Sequence, residues 1–267
     1  MSDIANPPVV MVFAGTDPSG GAGLQADIET LASLGVHAAP VVTAVTVQDS
    51  QRLMRFEPVD ATLLIEQARA VLEDMPISAF KIGMLGSVEN TEAIHSLLMD
   101  YPEAPVVLDP LIHAGGGGEL SGDELIDAMV SLLFPLTTVL TPNSEEARAF
   151  APEADNLDAC AQELLELGSE YVLITGTHEN TPHVENHFYS DHQLLETFTW
   201  ERLPHSYHGS GCTLASAIVG LLAQGLEPFH AVHEAQEYTW HSLKHGRRLG
   251  MGQHIPSRLF WTQDSDE

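Results

Sequence analysis

Cys212 stands in "HGSGCTLASAIVGLL" (His208–Leu222), directly after Gly209, Ser210 and Gly211. Glycines at both sides of a serine let successive backbone N–H groups point at one spot. The apolar run that follows reads as a helix beginning near Cys212, with its positive dipole end facing the same spot. Such an arrangement is an anion hole. It suits the charge that gathers on a transferring phosphoryl group, where positioned donors contribute roughly 3–4 kcal/mol each. The same field lowers a thiol pKa from about 8.5, in favourable cases to roughly 3.5–7.5, giving a thiolate able to take a proton from an attacking hydroxyl. The residues alone equally permit a small buried hydrophobe at a helix start.

Other residues of chemical interest follow short apolar runs. After "PVVMVFAG" comes "AGTDPSGGAGLQAD" (Ala14–Asp27), where Gly20, Gly21 and Gly23 permit close approach to a ligand or form a plain turn. The loop is neither a Walker A motif nor a clean G-x-G-x-x-G. Gln48 in "TAVTVQDS" carries an amide able to read a ring with an amine beside a ring nitrogen. Met84 in "KIGMLGS" offers a polarizable face to an aromatic ring, or fills core. Lys81 could neutralise phosphate or pair with an acid. Asp109 in "VVLDP" and Glu146 in "TPNSEEA" could hold Mg²⁺ directly or through water. Asn143 could orient phosphate or water. Glu145 and Glu146 equally suit the first turn of a helix. The run Gly115–Gly118 reads as a flap over a nucleotide or as a passive loop.

The elements that would position these residues alternate. Fully apolar strands, such as "APVVLDP", "TTVLTPN" and "YVLITG", are separated by stretches of helical spacing, such as "GLQADIETLASLG", "ATLLIEQARAVLED" and "LDACAQELLELG". "HAAPVVTAVTVQD" reads as one strand with an irregular exit, and "GDELIDAMVSLLF" as one helix. "ENHFYSDHQLLETFTW" reads as a hairpin turning at Ser190–Asp191. The expectation is a mostly parallel sheet covered by helices on both faces, in a single domain over residues 1–267. Ligands of such sheets sit at the carboxyl ends of the strands, where the residues above lie.

The 267 residues include 38 acidic and 10 basic ones, a formal net charge of −28. That surface repels nucleic acid and anionic membranes. It suits a salty interior, and the melting temperature should rise with added KCl; a flat response removes that idea. A polyphosphate held by this chain would lean on backbone N–H groups, helix N-termini and a divalent metal. No apolar run approaches the roughly 18 residues of a membrane span. "MSDIANPPVVMVFAG" lacks a basic region and reads as a first strand, so a cytoplasmic location is expected. Cys160 and Cys212 match no zinc or redox spacing and are expected reduced.

Taken in order, "AGTDPSGGAGLQADIET", "TAVTVQDS", "KIGMLGS", "VVLDP", "TPNSEEA" and "HGSGCTLASAI" make the chain resemble the bacterial hydroxymethylpyrimidine/phosphomethylpyrimidine kinases of the ribokinase-like superfamily. The resemblance runs from about residue 12 to 225, with "GMGQHIP" a weaker continuation. It implies a three-layer αβα fold and ATP- and Mg²⁺-dependent phosphorylation in thiamine biosynthesis. The substrate would be 4-amino-5-hydroxymethyl-2-methylpyrimidine and then its monophosphate. It implies a substrate site of Gly15, Asp17, Asp27, Gln48 and Met84, with Gln48 reading the pyrimidine. Cys212 would be the catalytic base and Gly209, Ser210 and Gly211 the anion hole. Asn143, Thr175 and Gly176 would meet the nucleotide, and Asp109 and Glu146 the metal. A homodimer is implied as well. Two departures stand out: Gly115 and Thr175 occupy positions where many relatives carry lysine, with His113 and His178 as candidate substitutes. Pyridoxal kinase and a pyrimidine-binding protein with a weakened nucleotide site are the alternative readings.

Overall fold

The computed structural model describes residues 6–112, 120 and 122–262. Its centre is an eight-stranded sheet. Six strands run parallel in the order β2 (His37–Val42), β1 (Val9–Ala14), β5 (Ile77–Ile82), β6 (Val106–Leu108), β7 (Val139–Leu140) and β8 (Tyr171–Ile174). The antiparallel pair β9 (His183–Ser190) and β10 (Gln193–Glu201) completes it beyond β8.

Side chains on each strand alternate between the faces, so both faces need apolar residues and the strands read as continuous apolar runs. Met11 and Phe13 of β1 join Phe80, Ile82, Leu108 and Ile174 in one core. That core is covered by α2 (Ala61–Leu72), α3 (Val88–Leu98), α4 (Asp123–Ala128), α5 (Ser144–Phe150) and α6 (Leu157–Glu166). Val10, Val12 and Ala14 face the other way with Ala79, Val107 and Leu173, under α1 (Gly23–Ser33), α7 (Ser210–Ala223) and α8 (Pro228–Lys244). The expected three-layer αβα fold is therefore present. None of the described helices is long and apolar enough to cross a membrane.

Three local expectations are corrected. "HAAPVVTAVTVQD" is two strands: the chain leaves the sheet at Thr43, and β3 (Ala44–Gln48) pairs antiparallel with β4 (Leu53–Pro58) in a separate ribbon. The pivot is held by Thr43 N–H to Ala14 O and by Val59 N–H and the Asn90 amide to Thr43 O. The helix after Gly122 is α-helical only to Ala128, then widens into a π-turn and narrows to a 3₁₀ turn around Pro135, whose ring cannot continue a helix. The β9–β10 turn falls at Asp191–His192, both at positive φ, one residue later than expected.

Candidate active site

A cavity of about 620 Å³ opens at the carboxyl ends of the parallel strands and runs from the β3–β4 ribbon to the β9–β10 hairpin. Cys212 sits at its floor. Gly209 is the N-cap of α7, at φ +80°, and no side chain caps the helix. The first helical bond is from Thr213 N–H to Gly209 O at 3.0 Å. The N–H groups of Ser210, Gly211 and Cys212 precede it and have no acceptor within the helix, and all three residues line the cavity. The helix starts two residues earlier than the sequence suggested, so Ser210, Gly211 and Cys212 all belong to its first turn.

Gly23 N–H, Lys81 and the Asp109 carboxyl are among the groups near the Cys212 thiol that act on its charge. Its acidity is opposite to expectation. Burial pushes the thiol up to about 12, with Lys81 pulling it down and Asp109 and Asp27 adding to the rise. The helix dipole does not offset the loss of water, so the resting group is a neutral thiol.

Beneath the floor lies a buried ion pair. Lys81 Nζ is 3.0 Å from Asp27 Oδ1, both side chains wholly buried, and Ser216 Oγ donates to the same oxygen at 2.6 Å. Lys81 lies on a central strand and is one of the residues lining the cavity. Burial works against its charge, but Asp27, then Cys212 and Asp109, hold the ammonium above its ordinary range. Asp27, expected against the substrate, is therefore not a lining residue; Lys81 lies between it and the cavity. Breaking a buried pair from one side strands a charge. Lys81→Met should cost about 3–5 kcal/mol in urea unfolding, and adding Asp27→Asn should recover part of that loss.

Asp17 is likewise absent from the lining. Burial opposes its charge, yet bonds from His208 and Ser19 hold its carboxyl below the usual range. It accepts from Ser19 N–H at 2.8 Å, Ala22 N–H at 2.7 Å and His208 Nε2 at 2.8 Å. Asp17 therefore ties the glycine loop to the residue preceding Gly209. Gly15 and Met84 do line the cavity, and a Cβ on Gly15 would come within 2.8 Å of Met84 Sδ. Met84 also packs with Ala44 and Leu120. Gln48 projects from the end of β3, its Nε2 donating to Thr16 O at 3.4 Å.

At the centre, Asp109 and Glu146 both line the cavity. Burial pushes Asp109 up to about 6, against the pull of Lys81. Burial and then Asp109 push Glu146 up to about 8, against N–H bonds from Asn143 and Ile112. Glu146 also completes a capping box with Asn143, so its helix-terminal role and its place in the cavity coexist. Asp109 Oδ2 is buried without a hydrogen-bond partner. Two buried carboxylates with one orphaned oxygen fit a divalent cation whose remaining ligands are phosphate oxygens and water. Among the described residues no cluster of three or more His, Cys, Asp or Glu side chains forms a closed metal cage.

Toward the hairpin, Thr175 and Asn143 line the cavity, with Thr177, His178, Trp200, Arg202 and Trp240. Asn143 Oδ1 is spent on the N–H groups of Glu145 and Glu146, leaving its Nδ2 for a ligand. Gly176 is not a lining residue. Its N–H donates to Asn186 Oδ1, and a Cβ there would overlap the Glu185 carbonyl, so close packing on β9 requires glycine. Arg202 donates to the carbonyls of Thr177, Thr181 and Glu179 at 2.8–3.0 Å and folds that loop around a fixed cation. The sequence pattern does not single out Arg202, because no motif surrounds it. Gly115, His113 and the Gly115–Gly118 run lie outside the described residues.

The phosphomethylpyrimidine kinase family model matches residues 17–257. Hydroxymethylpyrimidine/phosphomethylpyrimidine kinase of Rhizobium meliloti (strain 1021) is 33% identical over 92% of this chain and 94% of its own length. The Mycobacterium tuberculosis protein of that name is 35% identical over 95% and 94%. Among solved structures, Bacillus subtilis pyridoxal kinase in complex with ADP superposes with a TM-score of 0.87 at 27% identity, over 96% of this chain and 99% of that one. Phosphomethylpyrimidine kinase of Clostridium difficile 630 gives 0.75 at 31%, over 87% and 97%. With the family model matching residues 17–257 and relatives 33–35% identical over more than nine-tenths of both chains, this protein is a member of the phosphomethylpyrimidine kinase family.

Proposed function

We propose that this chain transfers the γ-phosphoryl group of ATP to the hydroxymethyl group of 4-amino-5-hydroxymethyl-2-methylpyrimidine, and then phosphorylates the monophosphate, in thiamine biosynthesis. The observation that carries the mechanism is Cys212: it stands in the uncapped first turn of α7 and lines the same cavity as Asp109. The pyrimidine lies between Gly15, Met84 and Gln48, which supports recognition of a flat ring with an amine beside a ring nitrogen. Cys212 takes the hydroxymethyl proton as a thiolate, formed when its own proton leaves to solvent. The Lys81 charge, which pulls the thiol pKa down, and the N–H groups of the helix start favour that loss. The N–H groups of Ser210, Gly211 and Cys212 receive the charge that builds on the transferred group. Asp109 and Glu146 would hold Mg²⁺, which when bound supplies positive charge to the polyphosphate. With threonine at 175, Arg202 and the helix start contribute more of the nucleotide's neutralisation.

Two assays test the activity: ATP consumption with the pyrimidine alcohol, then with its monophosphate. Turnover of both supports the reading, and pyrimidine binding without turnover overturns it. Pyridoxal is run in parallel, because the chain superposes on pyridoxal kinase at a TM-score of 0.87. Preference for pyridoxal by kcat/KM would favour that second reading.

The carboxylate pair makes a further prediction. A carboxyl whose pKa is higher folded than unfolded binds its proton more tightly in the folded chain. Its contribution is full below the unfolded value and is lost as pH rises through the folded one. For Asp109 that window runs from 3.8 to about 6, and for Glu146 from 4.5 to about 8. The metal-free melting temperature should therefore fall across that range. Mg²⁺ should raise it more at pH 8 than at pH 5, and Glu146→Gln should flatten the upper part of the curve. Scanning fluorimetry with and without Mg²⁺ reads all three.

The single domain over 1–267 is supported by two cores sharing one sheet. A cytoplasmic homodimer is part of the same proposal. Exposed Val45, Val47 and Met54 on the β3–β4 ribbon support a covered face there, and sedimentation equilibrium decides it.

A further inference from the structure

Arg258 follows the last residue of the family match, and no motif marks it. Its side chain is nonetheless fully buried. Nε donates to Thr213 Oγ1 at 3.0 Å, and Nη2 to Gly21 O at 2.5 Å. Nη1 donates to Gly20 O at 3.5 Å and pairs with Glu29 Oε2 at 3.2 Å. Among the described residues only Glu29 is a counter-ion, and it is partly exposed. An apolar side chain of similar volume would fill the space without the cost of burying a charge. The donors instead join two separate pieces of the active site.

One piece is the glycine loop after β1. The other is the first turn of α7, where Thr213 Oγ1 passes the connection on to Gly209 O at 2.8 Å. These pieces touch where Gly209 lies against Gly21, so closely that a Cβ on Gly209 would overlap the Gly21 carbonyl oxygen. That same oxygen accepts from Arg258. The guanidinium therefore braces both sides of the contact from which the free N–H groups of α7 project. Its own backbone is fixed, because Arg258 O accepts from Ser33 Oγ and Tyr238 OH, each at 2.8 Å. Upstream, His254 O accepts from His208 N–H at 2.8 Å, and Gln253 N–H reaches Ser50 O at 2.9 Å, two residues past Gln48.

We propose that Arg258 is a positioning residue for phosphoryl transfer: its guanidinium locks the Gly20–Gly21 loop to the start of α7 and so holds the Ser210–Cys212 N–H groups on the migrating phosphoryl group. The proposal rests on the anion-hole reading above. It assigns Arg258 no contact with substrate. Loss of the brace lowers turnover while leaving the pyrimidine site, formed by Gly15, Met84 and Gln48, in place.

The test compares wild type, Arg258→Ala and Arg258→Lys by steady-state kinetics and by calorimetry with two probes. The first probe is ADP with Mg²⁺. The second is ADP with Mg²⁺, aluminium fluoride and the pyrimidine alcohol, which mimics the transferring group. Wild type should bind the second probe at least about tenfold tighter than the first. Arg258→Ala should lose that gain, keep ADP affinity, and drop kcat by about 10–100-fold with little change in pyrimidine KM. Guanidinium ion added at millimolar concentration should restore part of kcat. Arg258→Lys, which keeps the charge but not the fork, should lose most of the gain as well. It carries the test if the alanine variant fails to fold. A folded variant with the wild-type gain and kcat overturns the role of Arg258 and leaves the anion hole standing. A wild type that shows no gain overturns the anion hole, and the proposal falls with it.

Discussion

Cys212→Ala should lower kcat by about 10²–10⁴-fold while the Kd for the pyrimidine alcohol stays within about twofold. The split follows from where the sulfur stands. It lies in the first turn of α7 near Lys81 and Asp109, whereas the ring is expected between Gly15, Met84 and Gln48. Alanine keeps the first turn of α7, since the N–H groups belong to the backbone and alanine favours helix. What disappears is the atom that takes the hydroxymethyl proton. The variant should retain its selective affinity for the ADP–aluminium fluoride mimic, because that depends on the N–H groups and not on the sulfur. Turnover equal to wild type would remove the base role. Turnover lost together with mimic affinity would mean that alanine had disturbed the helix start, and a melting curve would reveal that.

The chemistry-bearing residues at strand ends were legible because parallel strands are apolar on both faces, and polar residues such as Asp109 and Asn143 mark where each run stops. The fold class followed from the same alternation. Position along the chain was less informative where a residue's role depends on a distant partner. Asp27 and Lys81 are far apart in sequence, and only the packing of α1 on β1 and against α7, which covers β5, brings them to 3.0 Å. The ribbon was half visible. β3 carries an alternating pattern, but "LMRFEP" is mostly exposed and lacks the periodicity that marks a half-buried strand. The departure at Thr43 has no glycine or proline to announce it. The acidity of Cys212 was misread for a definable reason: a sequence displays the helix start that lowers a thiol pKa, but not the depth of burial that raises it. Arg258 was invisible because nothing local distinguishes a buried arginine from a solvated one.

Gly209→Ala should reduce kcat by about 10²–10³-fold, close to what removing an oxyanion donor does elsewhere. Two effects are superposed in it. Gly209 has φ +80°, a conformation that costs a Cβ-bearing residue about 1 kcal/mol or more. The added methyl would also overlap Gly21 O and come within 2.9 Å of Ala22 Cα, so the glycine loop and the start of α7 must move apart. The same helix supplies a control for the first effect. Gly225, just past the end of α7, has φ +91°, and a methyl added there would meet nothing within 4 Å. Gly225→Ala should therefore cost about 1 kcal/mol in urea unfolding and leave kcat unchanged. If both variants lost similar stability but only Gly209→Ala lost turnover, backbone strain could not be the cause. The loss would then lie in where the first three N–H groups of α7 point, which is the property the proposed phosphoryl transfer requires of this helix. Equal turnover in the two variants would separate the helix start from catalysis altogether.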